Sequence, residues 1–289
     1  MFSRFPRFLL ALASLAMQAC QPAVHSISKT EAGIGADKHA RPVLSSTTVT
    51  ENERVRAPTV LDSPLNRVGQ ITINEENRGV RYTRPVCTAV AIDPRHILTA
   101  AHCLDTEDPF LLSDPKWQFS PGKNGESKDQ LTVTLTHFAL FAGPRYEPGY
   151  DLALAETVET IPFDALAIEP QPEEIGLTAF SIGYPIALSP VFGEHAGWAW
   201  MARGLLTGNE IHGLTGAESV FTTNQCLATG DSGAPVFSRD SLDAPGLEGT
   251  SWKLHGILSH AARNPECRGL GRRIDVEVSN WIQKTISSH

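Results

Sequence analysis

Apolar and β-branched residues recur along this chain in short runs separated by turn residues. In the first half they occupy residues 86–92, 96–100 and 131–137, with Asp93-Pro94-Arg95 as the turn between the first two and T/V/L/T alternating in the third. The apolar residues 152–154 mark a further buried strand. In the second half the runs are 178–182, 198–203, 219–222, 235–238, 254–258 and 273–278. Short runs with period two, bounded by Gly and Pro, predict strands packed into an all-β sandwich or barrel. A helical pattern occurs only at the end, where Ser279 is placed to cap a short helix carrying Trp281, Ile282 and Ile286 on one side. The Pro- and Glu-rich residues 169–174 read as a connector between two halves, and no internal repeat is evident.

The first residues follow a different pattern. Arg4 and Arg7 precede an apolar stretch over residues 8–17. A permanent membrane helix needs about 20 apolar residues, so this shorter run suits the core of a signal peptide at residues 1–20. Met17-Gln18-Ala19-Cys20 resembles a bacterial lipoprotein cleavage site, which leaves three outcomes open: lipidation of Cys20, ordinary cleavage nearby, or a retained anchor. Residues 21–81 contain no Phe, Tyr or Trp, and the part up to residue 64 is rich in Ser, Thr, Ala, Glu and Pro. Such a stretch buries too little surface to offset chain ordering and is expected to be a flexible tether or propeptide over residues 21–64. The folded domain is then expected over 65–289.

Composition narrows the function. Hydrophobic residues make up 41% and charged residues 19% of the chain, as in ordinary globular proteins. A formal net charge of −8 argues against a nucleic-acid partner, which requires clustered Lys and Arg. There are five cysteines, Cys20, Cys87, Cys103, Cys226 and Cys267. With Cys20 removed or lipidated, four remain for two disulfides in an oxidising compartment. The expected location is the periplasm, outer envelope or cell exterior, with a lipid at Cys20 as the sole membrane attachment.

Three segments carry candidate chemistry: Leu98-Thr99-Ala100-Ala101-His102-Cys103, then Tyr150-Asp151-Leu152-Ala153-Leu154, then Gly230-Asp231-Ser232-Gly233-Ala234-Pro235. A serine hydroxyl needs a neighbouring base to become nucleophilic at neutral pH, and histidine is suited to that task. The imidazole needs a buried carboxylate to fix its tautomer and stabilise its cation. A developing oxyanion needs fixed N–H donors, each worth about 3–4 kcal/mol of barrier, and a Gly-x-Ser-Gly turn is able to aim the Gly230 and Ser232 amides at one point. Asp105 and Asp108, close to His102 in sequence, are weaker rivals to Asp151 as the orienting acid.

These motifs, in the order His, Asp, Ser, resemble the chymotrypsin/trypsin-like serine peptidases. The resemblance covers residues 65–289. It implies two packed antiparallel six-stranded β-barrels, about 65–165 and about 177–278, followed by the short helix. It also implies an endopeptidase in which His102, Asp151 and Ser232 form the triad and an acyl-enzyme is hydrolysed by water. A Cys87–Cys103 bridge would pin the histidine loop, and a Cys226–Cys267 bridge would brace the substrate pocket. The sequence itself permits three pairings of these four cysteines.

Departures from the family pattern bear on specificity and activation. Cys226 stands where trypsin-type members carry a pocket-floor Asp, or else the floor shifts towards Asn224, so cleavage after Lys or Arg is not expected. Ser259 and His260 match the segment that lines the pocket and pairs with substrate backbone; Ser259 is the better candidate for that pairing, and His260 either suits an acidic side chain or is a solvated loop residue. Cleavage after Arg67, in Arg67-Val68-Gly69, would release an N-terminus to pair with Asp231, although the usual second glycine is Gln70. The expected partner is a protein or peptide substrate and the expected state a monomer, without cofactor or metal. The rival functions are a catalytically silent binding module on the same fold and a serine hydrolase of esters.

Overall fold

The computed structural model describes residues 54–57, 65–77, 79–104, 115–123, 125, 130–143, 147–170, 175–186, 197–207, 220–225, 227–239, 252–261 and 268–288. Cys20, most of the expected tether, Asp105, Asp108, Cys226, Cys267 and hence the Cys226–Cys267 pairing lie outside these residues.

The first described strand, β1 (Arg54–Arg56), belongs to the second half of the molecule. Six strands then build a closed barrel: β2 (Val68–Asn77), β3 (Val80–Ala91), β4 (His96–Thr99), β5 (Lys116–Pro121), β6 (Val133–Leu140) and β7 (Ala153–Thr157). Their order is β2-β3-β4-β7-β6-β5, and every pairing is antiparallel. Closure leaves no free sheet edge. Ile71, Ile73, Ala89, Ala91, Ile97, Phe119, Val133, Ala153 and Ala155 fill the interior. Small residues on β3 and β7 face the larger Ile and Phe of β2, β4 and β5, which lets layers interdigitate in a narrow barrel.

β2 is not apparent from alternation, because both of its faces are covered. Val68 packs in the core that joins the two barrels and Ile71 in the interior of the first barrel, and residues 67–73 are all buried.

The second half contains β8 (Thr178–Gly183), β9 (Trp200–Leu205), β10 (Val220–Thr223), β11 (Pro235–Arg239), β12 (Trp252–Ala261) and β13 (Gly269–Arg273). The order is β1-β9-β8-β11-β12-β13-β10. Six strands curl until β9 and β10 meet at a short seam. Leu206 bridges Thr223 there, Thr207 N donates to Thr222 O at 2.9 Å, and Leu205 N donates to Asn224 Oδ1 at 2.7 Å. The rest of that β9 edge is taken by β1, with Arg54 opposite Ala202 and Arg56 opposite Trp200. Ala57 N continues the pairing to Ala199 O at 2.9 Å. The expected tether thus contributes a strand in these residues, because an unpaired stretch of β9 backbone offers it hydrogen bonds.

The chain ends in α1 (Val276–Ser287), whose start differs from expectation. The N-cap is Asp275, which accepts from Val278 N at 2.9 Å, four residues before Ser279. Residues 273–278, expected as a strand, are divided: β13 stops at Arg273 and the helix begins at Val276. An Asp with extended backbone whose carboxylate caps the N3 amide ends one element and starts the other. Ser279 lies inside the helix and donates instead to Ile168 O at 3.1 Å.

One core joins the barrels and the helix. Val68, Val90, Leu98 and Leu154 of the first barrel pack with Ile182, Phe237 and Ile257 of the second and with Val278 and Ile282 of α1. Trp281 meets Phe141 edge-to-face at 5.3 Å. Tyr184, fully buried, donates its hydroxyl to Val68 O across the junction at 3.2 Å.

Candidate active site

His102 sits on a 3₁₀ turn, Ala101–Leu104, directly after β4. The Cys87–Cys103 disulfide ties that turn to β3. This is the pairing that the family resemblance implies. Asp151 lies just before β7, whose pairing with β4 brings the two segments together. Its carboxylate is fully buried and doubly engaged by one residue: Oδ1 accepts from His102 N at 2.9 Å and Oδ2 from His102 Nδ1 at 2.6 Å. Burial pushes the Asp151 carboxyl up, but the hydrogen bond and charge of His102, with a hydrogen bond from Ser259, together hold it below the usual carboxylate range. With Nδ1 donating to a carboxylate, Nε2 carries the lone pair.

Ser232 comes from the second barrel, in the turn before β11, and its partners reach across the junction. Thr88 N, on β3, donates to Ser232 O at 2.8 Å, and Thr88 Oγ1 donates to Gly230 O at 2.7 Å. Thr88 Oγ1 in turn accepts from Tyr184 N at 2.9 Å, while Thr99 Oγ1 donates to Thr88 O at 2.7 Å. Gly233 N is held by Leu258 O on β12 at 2.7 Å. The turn leaves no room at Gly233: φ is +82° and a Cβ would fall 2.0 Å from Thr88 O. Thr88 and Thr99, both fully buried, are structural residues of the site that sequence reasoning missed. Their only signal is position, Thr88 immediately after Cys87 and Thr99 three residues before His102.

The amides on either side of the serine are occupied. Asp231 N donates to Ala228 O at 3.0 Å and Ala234 N to Asp231 O at 2.9 Å. The Gly230 and Ser232 amides donate to no backbone carbonyl among the described residues. The Ser232 hydroxyl donates to Ser259 O at 3.2 Å.

Ser259 is more deeply placed than a backbone-contact role requires. It is buried, and its hydroxyl donates to Asp151 Oδ2 while also bonding His260 Nδ1. The His260 ring stands 5.4 Å from that of His102, centroid to centroid, with Nδ1 3.8 Å from Asp151 Oδ2. Burial lowers the His260 pKa below the ordinary histidine value; Asp151 opposes this and His102 adds to it. Ligand-type atoms of His102, Asp151 and His260 lie within 4.8 Å of one another, as do those of Cys87, His102 and Cys103. In the first group His102 Nδ1 already bonds Asp151 and His260 Nδ1 bonds the Ser259 hydroxyl, and in the second the two sulfurs are bonded together. Neither set fits a metal without losing those bonds.

The structure thus brings His102, Asp151, Ser232, Gly230, Ser259 and His260 together. Asn224 is engaged elsewhere, at the seam of the second barrel with Leu205.

The expected clip after Arg67 is corrected. Arg67 is buried, its guanidinium donates to Asp164 O and lies 5.4 Å from the Phe163 ring centroid. Val68 is the first residue of β2, fully buried, and its carbonyl accepts from Gly122 N at 2.8 Å and from Tyr184. A protease would have to unravel the first barrel to reach this bond, and Val68 could leave for Asp231 only by abandoning it. Asp231 Oδ2 accepts from Ala228 N at 2.7 Å.

The sequence model of the trypsin-like peptidase domain matches residues 87–242. No curated protein matches the chain. Among solved structures, a Glu endopeptidase in complex with MPD aligns with a TM-score of 0.60 at 18% identity, covering 82% of this chain and 97% of its own. Neuropsin, a serine protease expressed in the limbic system of mouse brain, aligns with a TM-score of 0.57 at 17% identity over 81% and 99%. The protease Anisep from Arthrobacter nicotinovorans aligns with a TM-score of 0.54 at 16% identity over 76% and 94%. At these identities the structures share the fold with this chain. With the sequence match spanning more than half of its length, the chain belongs to the trypsin-like peptidase family and is a serine endopeptidase by class.

Proposed function

We propose that His102, Asp151 and Ser232 are the catalytic triad of an exported endopeptidase acting through an acyl-enzyme. The observation that carries this reading is the double grip of Asp151 on His102, set opposite a serine turn that is hydrogen-bonded across the barrel junction. Asp151 fixes the tautomer, so His102 Nε2 is free to take the Ser232 proton. The hydroxyl rests on Ser259 O in this state and must turn towards His102 before attack. Its oxygen adds to a peptide carbonyl, and the new oxyanion is received by the Gly230 and Ser232 amides. His102 returns the proton to the leaving amine, and water, activated by the same ring, releases the acyl group. Ser259, His260 and Cys226 remain the proposed substrate contacts. The Cys87–Cys103 bridge supports export to an oxidising compartment, with Cys20 the proposed lipid anchor and a monomer the proposed state.

The test is labelling of the purified, oxidised chain with a fluorophosphonate, beside Ser232→Ala. Labelling that disappears in the variant supports the triad. Absence of labelling in the native chain supports the silent binding module. Cleavage of an ester with no cleavage of a peptide library would favour the ester hydrolase.

A further inference from the structure

Two histidines converge on one buried carboxylate, and the proposed triad uses only one of them. The hydrogen count fixes the role of the other. Asp151 is ionised and so can only accept. Its Oδ2 therefore accepts from the Ser259 hydroxyl, whose single proton points at Asp151. Ser259 Oγ then has no proton left for His260 and must accept from His260 Nδ1. The chain of donors runs from His260 Nδ1–H to the Ser259 hydroxyl, and from there to Asp151 Oδ2, where the His102 Nδ1–H arrives from the other side. His260 is therefore the Nδ1–H tautomer, and its half-exposed ring keeps Nε2 as the protonation site.

We propose that His260 is a positioning residue for the triad: it holds the Ser259 hydroxyl against Asp151, and its protonation slows catalysis by placing a second positive charge beside His102. This rests on the peptidase reading above. The charge acts at the step in which His102 takes the Ser232 proton. His102 must then become a cation with another imidazolium at a ring distance of 5.4 Å, competing for the same carboxylate. The donor chain itself survives protonation, because Nδ1–H is present in both forms of the ring. Among the described residues, the ionisable groups facing His260 are Asp151, before β7, and His102, after β4.

Two measurements test the proposal. The first needs no activity: nitrogen NMR of the histidines in the full-length Ser232→Ala chain. The Nδ1–H tautomer of neutral His260 is expected; the Nε2–H tautomer would overturn the donor chain, whatever Ser232 does. The second compares pH profiles of kcat and kcat/KM on an uncharged substrate for the native chain, His260→Asn and His260→Phe. Phe removes the donor and is expected to lower kcat about tenfold with KM changed less than about threefold. Asn keeps an N–H near Nδ1 and is expected to restore at least half of that loss on a logarithmic scale. Both variants should lose the second protonation, so that an acid limb steeper than one proton becomes a one-proton limb. Equal kcat in the two variants, or an acid limb unchanged from native, would reduce His260 to a wall of the cleft. A native chain that neither labels nor hydrolyses would sink the peptidase reading and leave the NMR result standing by itself.

Discussion

The two barrels reach closure by different means. In the first, every strand is paired to another strand of the same barrel on both sides, and a disulfide fastens β3 to the histidine turn. In the second, β9 and β10 meet over a few residues, and the remaining edge of β9 is covered by a strand from far upstream. The groups of the proposed triad are divided to match. His102 and Asp151, the proposed base and its orienting acid, stand on the closed barrel, tied to each other by two hydrogen bonds. Ser232 stands on the other, in a turn whose position depends on hydrogen bonds from Thr88 and Leu258 rather than on its own barrel alone. The lesson is that the serine is registered against the histidine by backbone contacts between the halves, and the closure of each half is a separate matter.

Changes at the seam between the halves should break this arrangement most severely. Gly233→Ala places a methyl group on the Thr88 carbonyl at a positive φ, and we expect at least about a thousandfold loss of fluorophosphonate labelling rate with a clear fall in Tm. Labelling within tenfold of native would refute the importance of this contact. Next in size is the first barrel's own staple. Replacing Cys87 and Cys103 by Ala should cost about 3 kcal/mol in urea unfolding, as for a closed loop of similar length. Thr88→Val strips the Gly230 carbonyl and the Tyr184 amide of their shared partner, and about 2 kcal/mol of stability with about tenfold in kcat should go with it. A loss in stability with no loss in kcat would show that the turn registers itself.

The comparison is sharpened by removing residues up to Ala57. We expect about 1–2 kcal/mol of destabilisation, with faster amide exchange in β9 and unchanged exchange in β4 and β7. The smallest effect belongs to the far side of the first barrel. Asp93 is pushed up by burial but held, on balance, below the usual carboxylate range by His96 and by the Arg95 amide. A depressed carboxyl stabilises the fold above its unfolded value and loses that contribution as pH falls through its folded value. Asp93→Asn should therefore lower Tm by about 2 °C near neutrality, and the gap should close below about pH 4.

Much of this was legible in the sequence, and for physical reasons. The motifs of the proposed triad are local: each residue lies beside Gly, Cys or an apolar run that fixes its backbone. Strands such as β8 and β11 are short runs bounded by turn residues, and the expected 178–182 and 235–238 lie within Thr178–Gly183 and Pro235–Arg239. β2 escapes a period-two reading because both of its faces are buried, and β13 merges with α1 because Arg273, Ile274 and Val276 form a plausible strand until Asp275 is recognised as a cap. Arg67 looked cleavable because a basic residue before Val-Gly is a chemical signal, whereas its burial under Phe163 is a tertiary one. The donor role of Ser259 towards Asp151 was out of reach for the same reason, since the two are 108 positions apart.

The placement of β1 and α1 also sets an order of events in biosynthesis. A ribosome releases β1 first, then the whole first barrel, and only afterwards the β9 edge on which β1 pairs. Trp281, which packs against Phe141 of the first half, follows all the strands of the second barrel. The first barrel therefore has all six of its strands before the second has any beyond β1, and it must wait for β11 and β12 before the Ser232 turn is bonded to Thr88 and Leu258.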